Sequence, residues 1–292
     1  MDVVYRYDPF EVIEHRPIQD ADQAIDNLAR GHNRYSTIRR QLQREIMGGL
    51  APQQIIIPGN VLSMGLPRVT GTAPAQTPFA LVLGCSDARV PIEHIFDQSP
   101  NDLFVVRVAG NVLGVECLGS IDYAVSNLGQ SLKLVVVLGH SSCGAVTAAV
   151  DSYLAPKNYA QIGFTHALRS LLDRVHTAVR GAASALELVG GSRVVRRTDY
   201  REVLLEAAVF LNAAITAFDV QRELKIPPVN DTRVVYGVFD LVAQHLRSHP
   251  RQESPIFADT PSGPDDLQKV ALAIAESILG DRPVARGKKV RH

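Results

Sequence analysis

Four short runs of apolar, mostly β-branched residues stand out along the chain, at 79–84, 103–108, 133–139 and 232–237. Their apolar residues are continuous rather than alternating with polar ones, which is typical of strands buried on both faces of a parallel sheet. Segments with helical spacing lie between them, including 116–128 and 145–154. This alternation predicts an α/β fold in which a mainly parallel central β-sheet is flanked by helices.

Further helical segments are predicted outside this core. Residues 20–50 indicate two amphipathic helices, the first broken near Gly31. The segment 52–77 is rich in Pro, Gly and Thr and predicts an extended loop that leads into the sheet.

The second half of the chain carries long helical patterns at 166–189 and 200–224, with a Gly-Gly-Ser break at 190–192 between them. One last helix is expected at 263–279, after a loop that begins beyond His249.

Composition narrows the function classes. Thirty basic residues balance thirty acidic ones, so the formal net charge is zero, which argues against nucleic acid or an anionic membrane as the main partner. Residues 1–17 lack the apolar run of a secretory signal, and no stretch of about 20 apolar residues suggests a membrane helix. The basic stretch 282–292 is expected to be a solvated tail.

Three cysteines make a poor disulfide framework in a chain of 292 residues. We therefore expect a reducing cytoplasm, in which free thiols can bind metal. Cys117 lies within a helical pattern and is interpreted as a packing residue.

The candidate chemistry lies at the ends of predicted strands. Cys85 ends the first strand, His140 ends the third, and Cys143 follows three residues later. In an open parallel sheet, ligands bind beyond the carboxyl ends of strands where the strand order reverses, so these side chains are expected in one crevice. Two sulfurs and one nitrogen are typical zinc ligands, and three protein ligands leave a fourth position open for water, as in catalytic zinc sites.

Asp87 and Arg89 follow Cys85 at alternate positions and can project to the same side of the loop. A planar guanidinium can hold a carboxylate through two hydrogen bonds and keep it ionised. A simple loop salt bridge is the alternative. Beside a metal, such a carboxylate could accept a proton from bound water.

Four motifs lie within roughly 76–150: C-S-D-A-R-V (85–90), D-L-F-V-V-R-V-A-G-N (102–111), S-I-D-Y-A-V (120–125) and G-H-S-S-C-G-A-V (139–146). In these motifs the chain resembles the β-class carbonic anhydrases. The resemblance implies reversible hydration of carbon dioxide to bicarbonate, with one zinc ion per subunit. It makes Cys85, His140 and Cys143 the zinc ligands and Asp87 and Arg89 the catalytic dyad.

The resemblance also implies a substrate pocket. Gln76 falls where an amide can hydrogen-bond carbon dioxide or bicarbonate, while Phe104, Ala109 and Tyr123 match pocket-lining positions. In the family a second subunit helps to form that pocket, so a homodimer or higher homo-oligomer is expected. Some members close the site by letting the aspartate bind zinc and hold bicarbonate near a tryptophan; this chain has no tryptophan, which favours an accessible site.

These inferences suggest three parts within one catalytic domain overall: a helical arm and loop at 1–75, a zinc-binding α/β region at 76–250, and a partly helical extension at 251–292. Two alternative functions stay open. The same scaffold could hydrolyse carbonyl sulfide or carbon disulfide, or the chain could be an inactive zinc-bound scaffold protein, although Asp87 and Arg89 are retained.

Overall fold

The computed structural model describes residues 2–7, 17–48, 54–59, 71–73, 75–162, 165–224 and 232–280. Within them the strands are β1 (Asp2–Tyr7), β2 (Gln54–Gly59), β3 (Ala80–Gly84), β4 (Leu103–Arg107), β5 (Leu134–His140), β6 (Arg233–Asp240), β7 (His245–Arg247) and β8 (Ala258–Asp259). The helices are α1 (Ala21–Gly48), α2 (Ile92–Ile95), α3 (Val115–Leu128), α4 (Gly144–Leu154), α5 (Tyr159–Ile162), α6 (His166–Gly190), α7 (Tyr200–Glu223) and α8 (Pro264–Gly280).

The central sheet has the order β4-β3-β5-β6-β7, and β8 also pairs with β6. The strands β4, β3, β5 and β6 run parallel, and β7 and β8 are antiparallel to β6. The four predicted strands are therefore confirmed, as is the mainly parallel α/β fold. Every residue of β3 and β5 is buried, which explains why their sequences are apolar throughout.

Helices cover the sheet on both faces. One apolar cluster joins one face of the sheet to α3, α4, α6, α7 and α8. A second cluster joins the other face to α1 and α2, through Leu28, Ile92 and Ile95 among others. The chain passes from β3 outward to β4 and then back across β3 to β5, so the strand order reverses between β3 and β5.

The N-terminal helix differs from the prediction. The structure has one continuous helix, α1, where two were expected. A Cβ added to Gly31 would lie 1.8 Å from the backbone oxygen of Phe96. Gly31 therefore marks a close contact between α1 and the chain just after α2, and the break predicted there is wrong.

Four strands were not predicted, namely β1, β2, β7 and β8. The loop expected over 52–77 is wrong across β2, which pairs in parallel with β1 in a separate two-stranded sheet. The loop expected after His249 contains β8. The basic tail at 282–292 lies outside the described residues, and the division into three parts stays a prediction.

The helix α7 is long and apolar enough to span a membrane by length and composition. Most of it is buried inside the protein, against β5, β6 and the neighbouring helices. Its apolar character is therefore explained by its place in the core.

Candidate metal centre

Three side chains converge where the strand order reverses. Cys85 directly follows β3, His140 is the last residue of β5, and Cys143 precedes the first residue of α4. One potential ligand atom from each of the three lies within 4.8 Å of the other two, and all three residues are buried. The two cysteine sulfurs are 3.9 Å apart. The structure therefore places the predicted ligand residues in one cluster.

The turn between His140 and Cys143 is set by Ser142, whose φ of 54° lies in the left-handed region. This conformation reverses the chain after β5 and places Cys143 at the start of α4. The backbone N–H groups of Ala145 and Val146, in the first turn of that helix, hydrogen-bond to the Cys143 sulfur. A helix N-terminus favours a negatively charged thiolate.

The imidazole of His140 is oriented for coordination. Its Nδ1 lies 2.9 Å from the carbonyl oxygen of Ser141, and because a carbonyl only accepts, Nδ1 carries the hydrogen. The Nε2 atom therefore presents a lone pair. It is buried and has no hydrogen-bond partner among the described residues. A buried nitrogen without a partner is unfavourable in a folded protein unless something binds it.

The two thiols affect each other. A hydrogen bond from Cys143 lowers the pKa of Cys85 well below that of a free cysteine, and the hydrogen bond from the Gly110 N–H acts in the same direction. The neighbouring Cys85 sulfur raises the pKa of Cys143. This pocket already favours one thiolate, and soft sulfur donors with an imidazole suit zinc. The residues present therefore fit this metal.

Asp87 and Arg89 form the pair that was anticipated. The Arg89 Nε donates to Asp87 Oδ1 at 2.9 Å and the Arg89 Nη2 donates to Oδ2 at 2.7 Å. These hydrogen bonds hold the pKa of the Asp87 carboxyl well below its usual range. The Oδ2 atom lies 3.8 Å from Nε2 of His140, so an ionised carboxylate stands beside the ligand cluster.

Backbone contacts that were not predicted hold the loop around Cys85. Arg107 ends β4 and donates to the backbone oxygens of Cys85 and Asp87, at 3.1 and 2.7 Å. The backbone N–H of Gly110 donates to the Cys85 sulfur at 3.3 Å. A charged residue at the end of an apolar strand could have indicated a role for Arg107. Nothing local in the sequence indicated that the Gly110 N–H contacts the Cys85 sulfur.

The predicted pocket residues differ in their burial. Gln76 and Ala109 are exposed, Phe104 is half-buried on β4, and Tyr123 is 53% exposed on α3. Their role in substrate binding stays a prediction. Cys117 is half-buried and packs against the larger apolar cluster, as expected.

Comparison with known proteins finds similarity in the part of the chain that forms this site. Residues 80–224 match the family model described as "Carbonic anhydrase". A carbonic anhydrase of Mycolicibacterium smegmatis is 42% identical over 120 residues, which are 40% of this chain and 53% of that protein. Carbonic anhydrase 2 of Mycobacterium tuberculosis is 51% identical over 88 residues, or 30% of this chain and 42% of that protein. This chain thus spans about half the length of these curated relatives.

Among solved structures, a tetrameric β-carbonic anhydrase of Sordaria macrospora shares 25% identity with a TM-score of 0.46, covering 59% of this chain and 81% of that one. The family match includes Cys85, Asp87, Arg89, His140 and Cys143. The resemblance to the β-class carbonic anhydrases first seen in the motifs is confirmed, because residues 80–224, about half of the chain, match the carbonic anhydrase family.

Proposed function

We propose that this protein reversibly hydrates carbon dioxide to bicarbonate and a proton, with one zinc ion per subunit held by Cys85, His140 and Cys143. The single observation that carries the proposal is the buried, unpartnered Nε2 of His140 within 4.8 Å of two cysteine sulfurs. Three such donors leave one coordination position for the reacting water. Zinc, when bound, acidifies that water so that it can act as a nucleophile near neutral pH.

The protein's own groups determine how the reacting water is held. Asp87 is ionised and cannot rotate freely, because Arg89 holds both of its oxygens. Its carboxylate can therefore accept a hydrogen bond from the water and direct a lone pair toward carbon dioxide. Arg89 in turn donates to the backbone oxygen of Ser142 at 3.3 Å, which ties the pair to the turn that carries Cys143.

An accessible site follows from the same contacts. A carboxylate that served as a fourth zinc ligand would have to leave the orientation in which Arg89 holds both of its oxygens. Because this pair is intact, we expect the fourth position to be left for water. The intact pair also argues for an active enzyme rather than an inactive scaffold, since zinc binding alone does not require it.

The partners and compartment follow from the site. The pocket residues Ala109 and Tyr123 are exposed in a single chain, so a second copy is needed to enclose carbon dioxide. A homodimer or higher homo-oligomer therefore forms the complete site. The two buried cysteines bind zinc only while they are reduced, which suits a reducing cytoplasm.

The first test is stopped-flow hydration of carbon dioxide on purified protein, with zinc quantified on the same sample. Fast hydration with about one zinc per chain, the number that three ligands in one site require, is expected. Zinc without hydration, or turnover of carbon disulfide alone, would contradict the proposal.

The ligand set is tested separately through zinc content. C143A removes one of three donors and should lose most of its zinc, because two protein ligands rarely retain the ion. C117A is the matched control, since this cysteine packs against the core outside the ligand cluster. Full zinc retention by C143A would overturn the assignment.

A further inference from the structure

A single amide side chain is buried in the middle of the apolar helix α7. Asn212 is 3% exposed and lies between the buried residues Leu211 and Ala213. Burying an amide in such surroundings is unfavourable unless it finds a hydrogen-bond partner. The Asn212 Nδ2 donates to the backbone oxygen of Gly110 at 2.8 Å, across 102 positions in the chain. This polar residue therefore has one specific contact outside its own helix.

Gly110 is the residue whose N–H donates to the Cys85 sulfur, at 3.3 Å. Its φ of 73° is a conformation that L side chains rarely adopt, and a Cβ added here would lie 3.0 Å from the Cβ of Ala145. The N–H thus reaches the sulfur only while Gly110 keeps this unusual conformation. A further contact is needed to hold the backbone on the carbonyl side of Gly110.

The peptide that follows Gly110 is held at both ends. Its N–H, on Asn111, donates to the backbone oxygen of Val108 at 3.0 Å, and its carbonyl is the group that Asn212 contacts. With this peptide fixed, the remaining freedom of Gly110 is small, and its own N–H stays directed at Cys85. The amide of α7 is therefore connected to the ligand cluster through one residue.

We propose that Asn212 is a positioning residue for the metal centre: it fixes Gly110 so that the Gly110 N–H hydrogen-bonds to the Cys85 thiolate ligand. The inference rests on the proposed zinc site and extends it. Hydrogen bonds to coordinating groups orient them and adjust the metal–ligand bond, and their loss commonly weakens metal affinity about 10- to 100-fold. Asn212 touches neither substrate nor ligand, so its effect passes through the backbone.

The test uses N212L, which keeps the size of the side chain but removes the donor. T216V is the matched control, because Thr216 is another buried polar residue one turn later on the same helix. Zinc affinity is measured by competition with a chelator. In parallel, Co²⁺ replaces zinc, and the sulfur-to-cobalt charge-transfer absorption reports directly on the hydrogen bond to the ligand sulfur.

We expect N212L to bind zinc about tenfold more weakly than wild type. Its charge-transfer band should move to longer wavelength, because a sulfur that loses a hydrogen bond holds its electrons at higher energy. T216V should match wild type in both measurements. If N212L yields no folded protein, N212A takes its place, since it removes the donor without a larger apolar group.

A folded N212L or N212A with the wild-type band and affinity would overturn the inference and leave Asn212 as a packing residue. Wild-type protein that binds neither ion would overturn the proposed function itself. Wild-type protein that binds zinc but does not hydrate carbon dioxide would count against that function alone, because the band and the affinity can still be measured.

Discussion

At the scale of single residues, Asp87 shows how one neighbour fixes both the charge and the direction of a group. Its side chain is 16% exposed and could rotate or protonate on its own. Two side-chain hydrogen bonds and one from the Arg89 backbone N–H hold it instead. The pKa of this carboxyl is thereby held well below its usual range, and the carboxylate lies beside the ligand cluster.

Replacing Asp87 should separate catalysis from metal binding. We expect D87A to keep its zinc, because the three ligand residues are unchanged, and to lose about 100-fold or more in turnover, the usual contribution of a positioned acid–base group. Stopped-flow hydration with zinc quantified per chain measures both. D26A, which removes an exposed carboxylate paired with Arg30 on α1, is the control. Unchanged turnover in D87A would remove this residue from the mechanism.

His32 is a second residue whose surroundings determine its charge. It is fully buried on α1, where Nδ1 donates to the backbone oxygen of Ile95 and Nε2 accepts from the N–H of Leu246. Burial lowers its pKa to about 4, and nearby His245 and Arg40 add to this effect. His32 is therefore neutral in the folded protein, while in the unfolded chain it titrates near 6.5.

This difference makes stability depend on pH. Below about pH 6.5 the unfolded chain binds a proton at His32 that the folded protein does not bind. The contribution of His32 to the free energy of unfolding is therefore fully present above pH 6.5 and is lost as pH falls toward 4. The resulting decrease in the free energy of unfolding is at most about 3 kcal/mol. Urea unfolding between pH 7.5 and 4.5 should show a shallower decline for H32Q than for wild type. H94Q, at an exposed histidine, should decline as wild type does; equal slopes in all three would refute the assignment.

At the scale of elements, Gly31 determines how closely α1 approaches the rest of the fold. The backbone of Phe96 occupies the space where a side chain at position 31 would begin, since a Cβ there would lie 1.8 Å from its oxygen. The same glycine allows Leu28 and His32 to reach the buried face of the sheet. A larger residue would push the helix away from this face.

G31A should therefore destabilise the protein although alanine favours helices. We expect a loss of roughly 2 kcal/mol or more, typical of overpacking in a close-packed contact. G119A is the matched control, because Gly119 lies within α3 with nothing within 4 Å of an added Cβ. It should gain about 0.5–1 kcal/mol from helix propensity. Chemical denaturation measures both, and a G31A as stable as wild type would show that α1 can shift without cost.

The elements that could be predicted are those with a clear hydrophobic pattern in their own residues. β3 and β5 are almost entirely apolar because both faces are covered, and the ligand residues lie at or directly after their ends. β7 has three residues and is ordered by pairing with β6, so no local pattern revealed it. Gly31 gave a misleading signal, since a glycine needed for close contact resembles a helix break. The link from Asn212 to Gly110 spans 102 positions and could be found only in three dimensions.

At the scale of the whole molecule, the side of the sheet at β4 is incompletely covered. β4 pairs only with β3 among the described residues, and most of its side chains are half-buried, whereas those of β3 are fully buried. Next to it, α3 exposes Val115 and Tyr123 at 75% and 53%. Phe104 and Tyr123, both predicted pocket residues, lie at this edge. An exposed apolar surface of this kind is suited to a second copy of the chain.

Association through this face is tested by placing a charge on it. We expect wild-type protein to sediment as a dimer or higher multiple of the 31.8 kDa chain. V115E should shift it toward monomers, because a buried unpaired charge at an interface is strongly unfavourable. V242E introduces the same change at a valine that is 90% exposed on the turn between β6 and β7, at the other end of the strand order from β4, and should associate as wild type does. Hydration should fall together with association in V115E, as the proposed shared pocket requires. A wild-type protein that sediments at 31.8 kDa and still hydrates carbon dioxide rapidly would contradict the shared pocket, because one chain would then suffice for the reaction.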